Sequence, residues 1–452
     1  MRVTAARAIM IDPEMKRRDF LGVLAATAFA ETPPDITLRI GPVTVEPAKG
    51  KMVRTVGYNG MAPGPLLRVR EGKTVTVEVF NDTDAPEFVH WHGLHIASEV
   101  DGSVEEGTPV VAPHTSRRYS FPATPSGTRW YHTHTTAGRN LKHATYTGQF
   151  GFFYIEPRNE PGGYDQEVFL ALKEWDPYMS TQGEESGLEV AYKYGSINGH
   201  ALGHGEPIRV KEGDRVMLRI LNGSATMHRR MAAAGHTFHV IAMDGNPVAA
   251  EREVAVLELG PAERIDAVME MKNPGIWILG DTNDRERKNG LGIAIEYAGK
   301  SGEPRWLPPS SEVWNYGAFG QIPAGEGVEP VERIPLVFQK KFAGSRWVDH
   351  WTINGKSFPK TDPIRVRKGG RYRLVFDNRS DEAHPVHLHR HSFELAKIAG
   401  VPTSGVVKDV VVVGAMSQTE VNLATNNPGL TLFHCHQQMH MDFGFMALME
   451  YA

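Results

Sequence analysis

One turn-and-strand phrase occurs three times in this chain, and it leaves few folds open. The copies read VREGKTVTVEVFND from Val69, VKEGDRVMLRILNG from Val210 and VRKGGRYRLVFDN from Val366. Each puts Gly in a turn, follows it with alternating apolar residues and closes on Asn, the pattern of a half-buried strand. Alternation at period two gives such a strand one face for a core and one for water. Upstream of each copy an Asn-Gly pair, at Asn59, Asn198 and Asn354, predicts a tight turn. Downstream, Gly127, Gly275 and Gly429 each introduce a β-rich run: TRWYHTH, IWILGDT and LTLFHCH. With 46 Gly, 30 Pro and few long helical periodicities, the chain predicts three β-sandwich units. They run about 35–157, 158–305 and 330–452, with a Pro/Gly/Glu-rich linker from Ser301 to Pro330.

Composition narrows the function classes. A net charge of -4, with 41% hydrophobic and 23% charged residues, points to neither nucleic acid nor a membrane surface. The single cysteine, Cys435, excludes an internal disulfide. The N-terminal stretch MKRRDFLGVLAATAFA, from Met15, joins Arg17 and Arg18 to a short apolar run and ends on Ala28-Phe29-Ala30. It reads as a twin-arginine export signal over residues 1–30, with a start at Met15 and a mature chain from about Glu31. Export to a bacterial periplasm follows. The apolar run is too short to span a bilayer, and no other stretch is apolar enough, so no stable membrane insertion is expected.

Aligning the copies locates the chemistry. Nine and eleven residues after the strand-end Asn stand His90 and His92 in the first unit, and His387 and His389 in the third. The middle unit has Met231 and Ala233 there. Five and seven residues after the later Gly stand His132 and His134, then Gly280 and Thr282, then His434 and His436. Between each of these pairs falls Thr133, Asp281 or Cys435. A lone cysteine is ordinarily a buried small apolar residue. Flanked by His434 and His436, with His440 five residues on, it reads instead as a metal ligand. On an extended strand the two histidines face one way and the cysteine the other, so one segment serves two sites. Thiolate with imidazoles suits copper and also zinc. Eight paired histidines exceed the needs of one four-coordinate ion, which points to a cluster between the first and third units.

These residues resemble a known family. HWHG (His90–Gly93), YHTH (Tyr131–His134), HPVHLHRHSF (His384–Phe393) and HCHQQMHMDFGF (His434–Phe445) look like the four copper-binding motifs of the multicopper oxidases. The three-domain, laccase-like branch is the nearest, and the likeness spans the whole mature chain. It implies an all-β fold of three consecutive cupredoxin-like Greek-key β-sandwich domains, the second without copper ligands. It also implies four copper ions. By position, the type 1 copper takes His384, Cys435 and His440, and the type 2 copper takes His90 and His387. The type 3 pair takes His92, His132, His134, His389, His434 and His436, while His391 matches a motif histidine that is not a ligand. The implied reaction draws single electrons from a reducing substrate near His440 and passes them through Cys435 to His434 and His436. Dioxygen is reduced to water there. Phenols or aromatic amines are the favoured reductants, ahead of cuprous or ferrous ions, since the 17 methionines form no insert. A non-enzymatic assembly protein of the same fold would have lost ligands, and here each motif position is filled. One chain supplies both halves of the cluster, so a monomer suffices.

The sequence departs from the family pattern at its end. Phe445, ten residues after the cysteine, holds the type 1 axial position and cannot coordinate, with Met446 adjacent. Asp101, in VDG, matches an acid that helps deliver protons to reduced oxygen, or else is a turn residue before Gly102. A second acid of the last motif is missing: Gln437, Gln438 and Met441 stand in the candidate places, which leaves Asp442 as the nearest carboxylate. His228 occupies the middle-unit equivalent of His384 but has no cysteine partner, and His236 and His239 read as structural. No role is assigned to His114, His143, His200, His204 or His350.

Overall fold

The computed structural model describes residues 32–159, 162–181, 187–310, 313–321, 332–344 and 347–452. The export-signal segment and part of the linker, residues 311–312 and 322–330, lie outside the described residues. The architecture is all-β, three sandwiches in succession. In the first, the sheet Val53–Tyr58, Ile36–Val45, Thr74–Asn81, Ser116–Pro122 packs on the sheet Leu67–Arg70, Phe150–Glu156, Gly127–His132, His90–His92. Leu38, Val75, Val77 and Val79 of one sheet and Trp91, Tyr131, Phe153 and Ile155 of the other form their common core. The second and third sandwiches follow the same plan, and one continuous core runs through both. No helix among the described residues is long and apolar enough to cross a membrane.

Each part of the repeated phrase has a structural reason. The phrase strands Thr74–Asn81, Arg215–Asn222 and Arg371–Asn378 each pair in parallel with the first strand of their own sandwich. The Asn-Gly pairs turn with positive φ at both residues: 51° and 74° at Asn59-Gly60, 52° and 85° at Asn198-Gly199, 50° and 79° at Asn354-Gly355. Asn and Gly adopt that conformation most readily. The strand-end asparagines pin the loop that follows. Asn81 Nδ2 donates to the Ala85 carbonyl, Asn222 Nδ2 to that of Met227 and Asn378 Nδ2 to that of Glu382. In return the Asn side-chain oxygens accept from the backbone of Thr83, Ser224 and Ser380. The loop is thereby fixed six residues or fewer after the Asn, immediately before His228 in the second unit and His384 in the third.

Candidate metal centres

The first centre lies inside the third sandwich. His384 begins the strand His384–Leu388, Cys435 ends the neighbouring strand Thr431–Cys435, and His440 sits in the short helix Gln438–Asp442 that follows. The sulfur is 3.7 Å from His384 Nδ1 and 3.6 Å from His440 Nδ1, and the two nitrogens are 3.1 Å apart. A point about 2 Å from all three atoms exists, the length of a metal–imidazole bond. The outward nitrogens are engaged elsewhere: His384 Nε2 with Ser380 Oγ at 2.8 Å, His440 Nε2 with Glu382 Oε2 at 3.2 Å. With Nε2 donating, each Nδ1 turns a lone pair to the shared point, an arrangement that only a cation makes favourable. Phe445 is buried, its ring 4.9 Å from that of His384, and Trp351 closes over His440 at 4.2 Å. Met446 belongs to a separate cluster with Leu432 and Met441.

The second centre lies between the first and third sandwiches. His90 pairs with His132 across one sheet, and His387 with His434 across the other. The two sheets meet so that the His90 ring stacks on His389 at 3.9 Å and the His92 ring on His387 at 3.8 Å. One nitrogen of most of these rings bonds outward. His90 Nδ1 meets the Asp101 carbonyl, His387 Nδ1 the Asp409 carbonyl, His132 Nδ1 the Thr133 carbonyl and His434 Nδ1 the Cys435 carbonyl. The inward nitrogens find only one another or nothing. His434 Nε2 is 3.1 Å from His389 Nε2 and 3.5 Å from His134 Nε2, and His92 Nδ1 is 3.4 Å from His132 Nε2. His90 Nε2, His387 Nε2 and both nitrogens of His436 are buried without a partner. Burial, with repulsion among neighbours, holds His92, His132, His387, His389, His434 and His436 well below the usual histidine range, and His134 at about 3. Neutral imidazoles with convergent lone pairs are what several bound cations require.

Carboxylates hold these rings from outside. Asp101 ends the helix Ser98–Asp101, directly before the left-handed Gly102, with its side chain between His90 Nδ1 at 3.1 Å and His389 Nδ1 at 2.8 Å. Gly102 lets that helix lie against the His90 strand: at its φ of 106°, a Cβ would stand 2.0 Å from the Val89 carbonyl oxygen. Glu106, which the sequence reading missed, reaches His389 Nδ1 at 3.1 Å. Burial pushes the Asp101 carboxyl up, but His90 and His389 outweigh it and hold it well below the usual range. Burial and the neighbouring Asp101 keep Glu106 well above. Asp442 stands one step back from the cluster. Its Oδ2 accepts from the Ala137 and Gly138 amides, and its Oδ1 from Gln438 Nε2 at 2.9 Å. Gln438, not Asp442, lines the narrow cavity beside His132, His134, His434 and His436.

Two more residues escaped the sequence reading. Asp409 receives His92 Nε2 at 3.1 Å, and its signal was a charge inside the valine run of VVKDVVVV. Glu382 lies two residues before His384, with no pattern to mark it. It borders a cavity of about 380 Å³ at His440, together with Glu189, Asp349, Met227, Met439 and His228. The remaining histidines stay outside both centres: His391 bonds Tyr451, His236 bonds Tyr297, His239 pairs with Glu251 and His114 with Asp84.

Comparison with known proteins agrees with this geometry. Residues 39–160, 167–300 and 334–452 each match a family model described as multicopper oxidase. The chain is 31% identical to the multicopper oxidase MmcO of Mycobacterium tuberculosis, over 90% of this chain and 86% of that protein. It is 26% identical to laccase-2 of Fomitopsis schrenkii, over 87% and 85%. Among solved structures, a multi-copper oxidase from Pseudomonas thermotolerans superimposes with a TM-score of 0.73 at 27% identity, covering 92% of this chain and 98% of that one.

Proposed function

The chain belongs to the multicopper oxidase family, and from that premise we propose how its residues divide the work. His384, Cys435 and His440 hold the type 1 copper, with Phe445 as its non-coordinating axial neighbour. His90 and His387 hold the type 2 copper. His134, His389 and His434 hold one type 3 ion, and His92, His132 and His436 the other. Supporting this division, the nitrogens of His134, His389 and His434 lie within 4.8 Å of one another, as do the donor atoms of His384, Cys435 and His440. When bound, copper supplies one-electron transfer at the thiolate site and reduction of dioxygen to water at the cluster. Cys435, His434 and His436 form the covalent bridge between the two. That bridge is the observation that carries the proposal, since it serves a chain that takes electrons at one site and uses them at another.

The reducing substrate enters at His440. The cavity beside it has room for one aromatic ring against Trp351 and Tyr192, and its carboxylates accept a proton from a phenolic hydroxyl or a hydrogen bond from an aromatic amine. Phenols and aromatic amines are therefore the favoured class. A metal-ion substrate has its own observation: Glu189, Asp349 and Glu382, with Met227 and Met439, face the same space, and oxygen and thioether groups suit ferrous or cuprous ions. Steady-state kcat/KM for a phenol, an aromatic amine, Fe(II) and Cu(I) separates the two. The organic donors are expected to lead, and a clear preference for either ion would replace this reading by the second. Asp101, a carboxylate beside His90 and His389, helps deliver protons to reduced oxygen by relaying them from its hydrogen-bonded neighbour Glu106, and Asp442, behind Gln438, is the second acid. Export by the twin-arginine route, on the strength of Arg17-Arg18 and the apolar run after it, completes the proposal.

A further inference from the structure

The middle sandwich carries no metal ligand, yet it places a guanidinium directly behind the cluster. Arg264 opens the strand Arg264–Glu270 of that sandwich. Its Nη1 donates to Asp409 Oδ1 at 2.7 Å and its Nη2 to Asp409 Oδ2 at 2.6 Å, a two-pronged pair with both side chains fully buried. The other donors of Arg264 are taken by the carbonyls of Thr128, Ala262 and Asp244, so the fork has one orientation. Asp409 in turn touches two cluster histidines, from different sandwiches. Its Oδ1 accepts from His92 Nε2 at 3.1 Å, and its carbonyl accepts from His387 Nδ1 at 2.7 Å.

We propose that Arg264 is a positioning residue for the oxygen-reducing cluster: through Asp409 it sets which nitrogen of His92 and of His387 faces inward. Arg129 Nη1 also pairs with Asp409 Oδ2, at 3.5 Å, but only Arg264 grips both carboxylate oxygens. Without Arg264 the carboxylate would turn toward Arg129 and away from His92. Gly93, the last residue of HWHG, is shaped to this pair. It has a φ of 84°, and a Cβ there would stand 2.7 Å from Asp409 Oδ2 and 2.9 Å from Arg264 Nη2. The motif glycine therefore leaves room for the ion pair, and the ligand-free unit becomes the third wall of a site whose ligands come from the other two.

The inference rests on the eight histidines holding copper, and its test keeps the two apart. Wild-type holoenzyme must first show full copper content, with type 1, type 2 and type 3 signals; failure there overturns the function, not this inference. In Arg264→Met holoenzyme, turnover should then fall by about 10–100-fold, as for loss of a group that orients a metal ligand. The type 2 resonance and the type 3 near-ultraviolet band should change, while the blue type 1 absorption and the KM for the reductant stay at wild-type values. Arg264→Lys should restore part of the cluster signals. If Arg264→Met does not fold, Asp409→Asn, which keeps the shape but loses the charge, should give the same split. Cluster signals identical to wild type in a folded variant would overturn the proposal, and so would loss of type 1 and cluster signals in equal proportion.

Discussion

His434 Nδ1 donates to the carbonyl of its neighbour Cys435 at 2.9 Å, so the two centres are joined by a hydrogen bond as well as by the peptide chain. The ring and the sulfur leave opposite faces of one strand, and replacing the sulfur should disconnect the sites without disturbing the cluster. Cys435→Ser is expected to lose the blue absorption and the oxidase activity. Burying a hydroxyl there should cost no more than about 1–3 kcal/mol of stability. Visible absorption, oxygen uptake and a thermal melt on one preparation check all three, and undiminished activity would show that the assigned route is wrong.

Phe445 faces His384, whereas Met446 packs with Leu432 and Met441. Phe445→Met places a thioether beside the thiolate site and should lower the type 1 potential, because a weak axial ligand stabilises the oxidised ion. Met446→Leu should leave the potential where it was. A redox titration followed at the blue band compares the two variants. A rise with Met446→Leu and no change with Phe445→Met would exchange their roles.

Much of this molecule was legible in its sequence, for a physical reason. A three-fold repeat exposes what is common, the Asn-Gly turns and the strand-end asparagines, and so isolates what is not, the paired histidines and Cys435. The residues that escaped are those whose partners lie far along the chain. Glu106 meets His389, and Asp409 meets His92 and Arg264, across separations that no local pattern encodes. Asp442 was visible as the nearest carboxylate, but that Gln438 stands between it and the cavity depends on how a five-residue helix turns. Counting ten residues from Cys435 reaches Phe445, whose ring lies 4.9 Å from that of His384.

Glu382 holds the outer nitrogen of His440 and also pairs with Lys340 at 3.0 Å. A carboxylate behind a ligating imidazole makes that ring a stronger donor. Glu382→Gln should therefore raise the type 1 potential and, by removing charge from the cavity, raise the KM for a phenol bearing a quaternary ammonium group several-fold more than that for a neutral phenol. Parallel redox and steady-state measurements read both effects. Equal KM changes for the two donors would remove Glu382 from substrate binding.

Burial pushes the Asp442 carboxyl up to about 7 from 3.8, against the opposing hydrogen bonds from Gly138, Ala137 and Gln438. Between those two values the folded chain keeps a proton that the unfolded chain has lost. This group's contribution to stability therefore declines as pH rises through that window, and is flat above it. Asp442→Asn has no such group, so its melting temperature should gain on that of the wild type between about pH 4 and 7. As a proton source Asp442 is loaded only below its own pKa. With a one-electron donor of pH-independent potential, wild-type turnover should decline as pH rises through about 7, and Asp442→Asn should lack that inflection. An unchanged inflection would assign it to another group.

The central claim is that electrons collected singly at Cys435 are delivered together to dioxygen at the histidine cluster. The direct measurement is the ratio of one-electron donor oxidised to dioxygen consumed, with hydrogen peroxide assayed in the same vessel. Reduction to water fixes that ratio by electron balance: four donors per dioxygen, with no peroxide, is the predicted result. Two donors per dioxygen, with peroxide accumulating, would contradict the account.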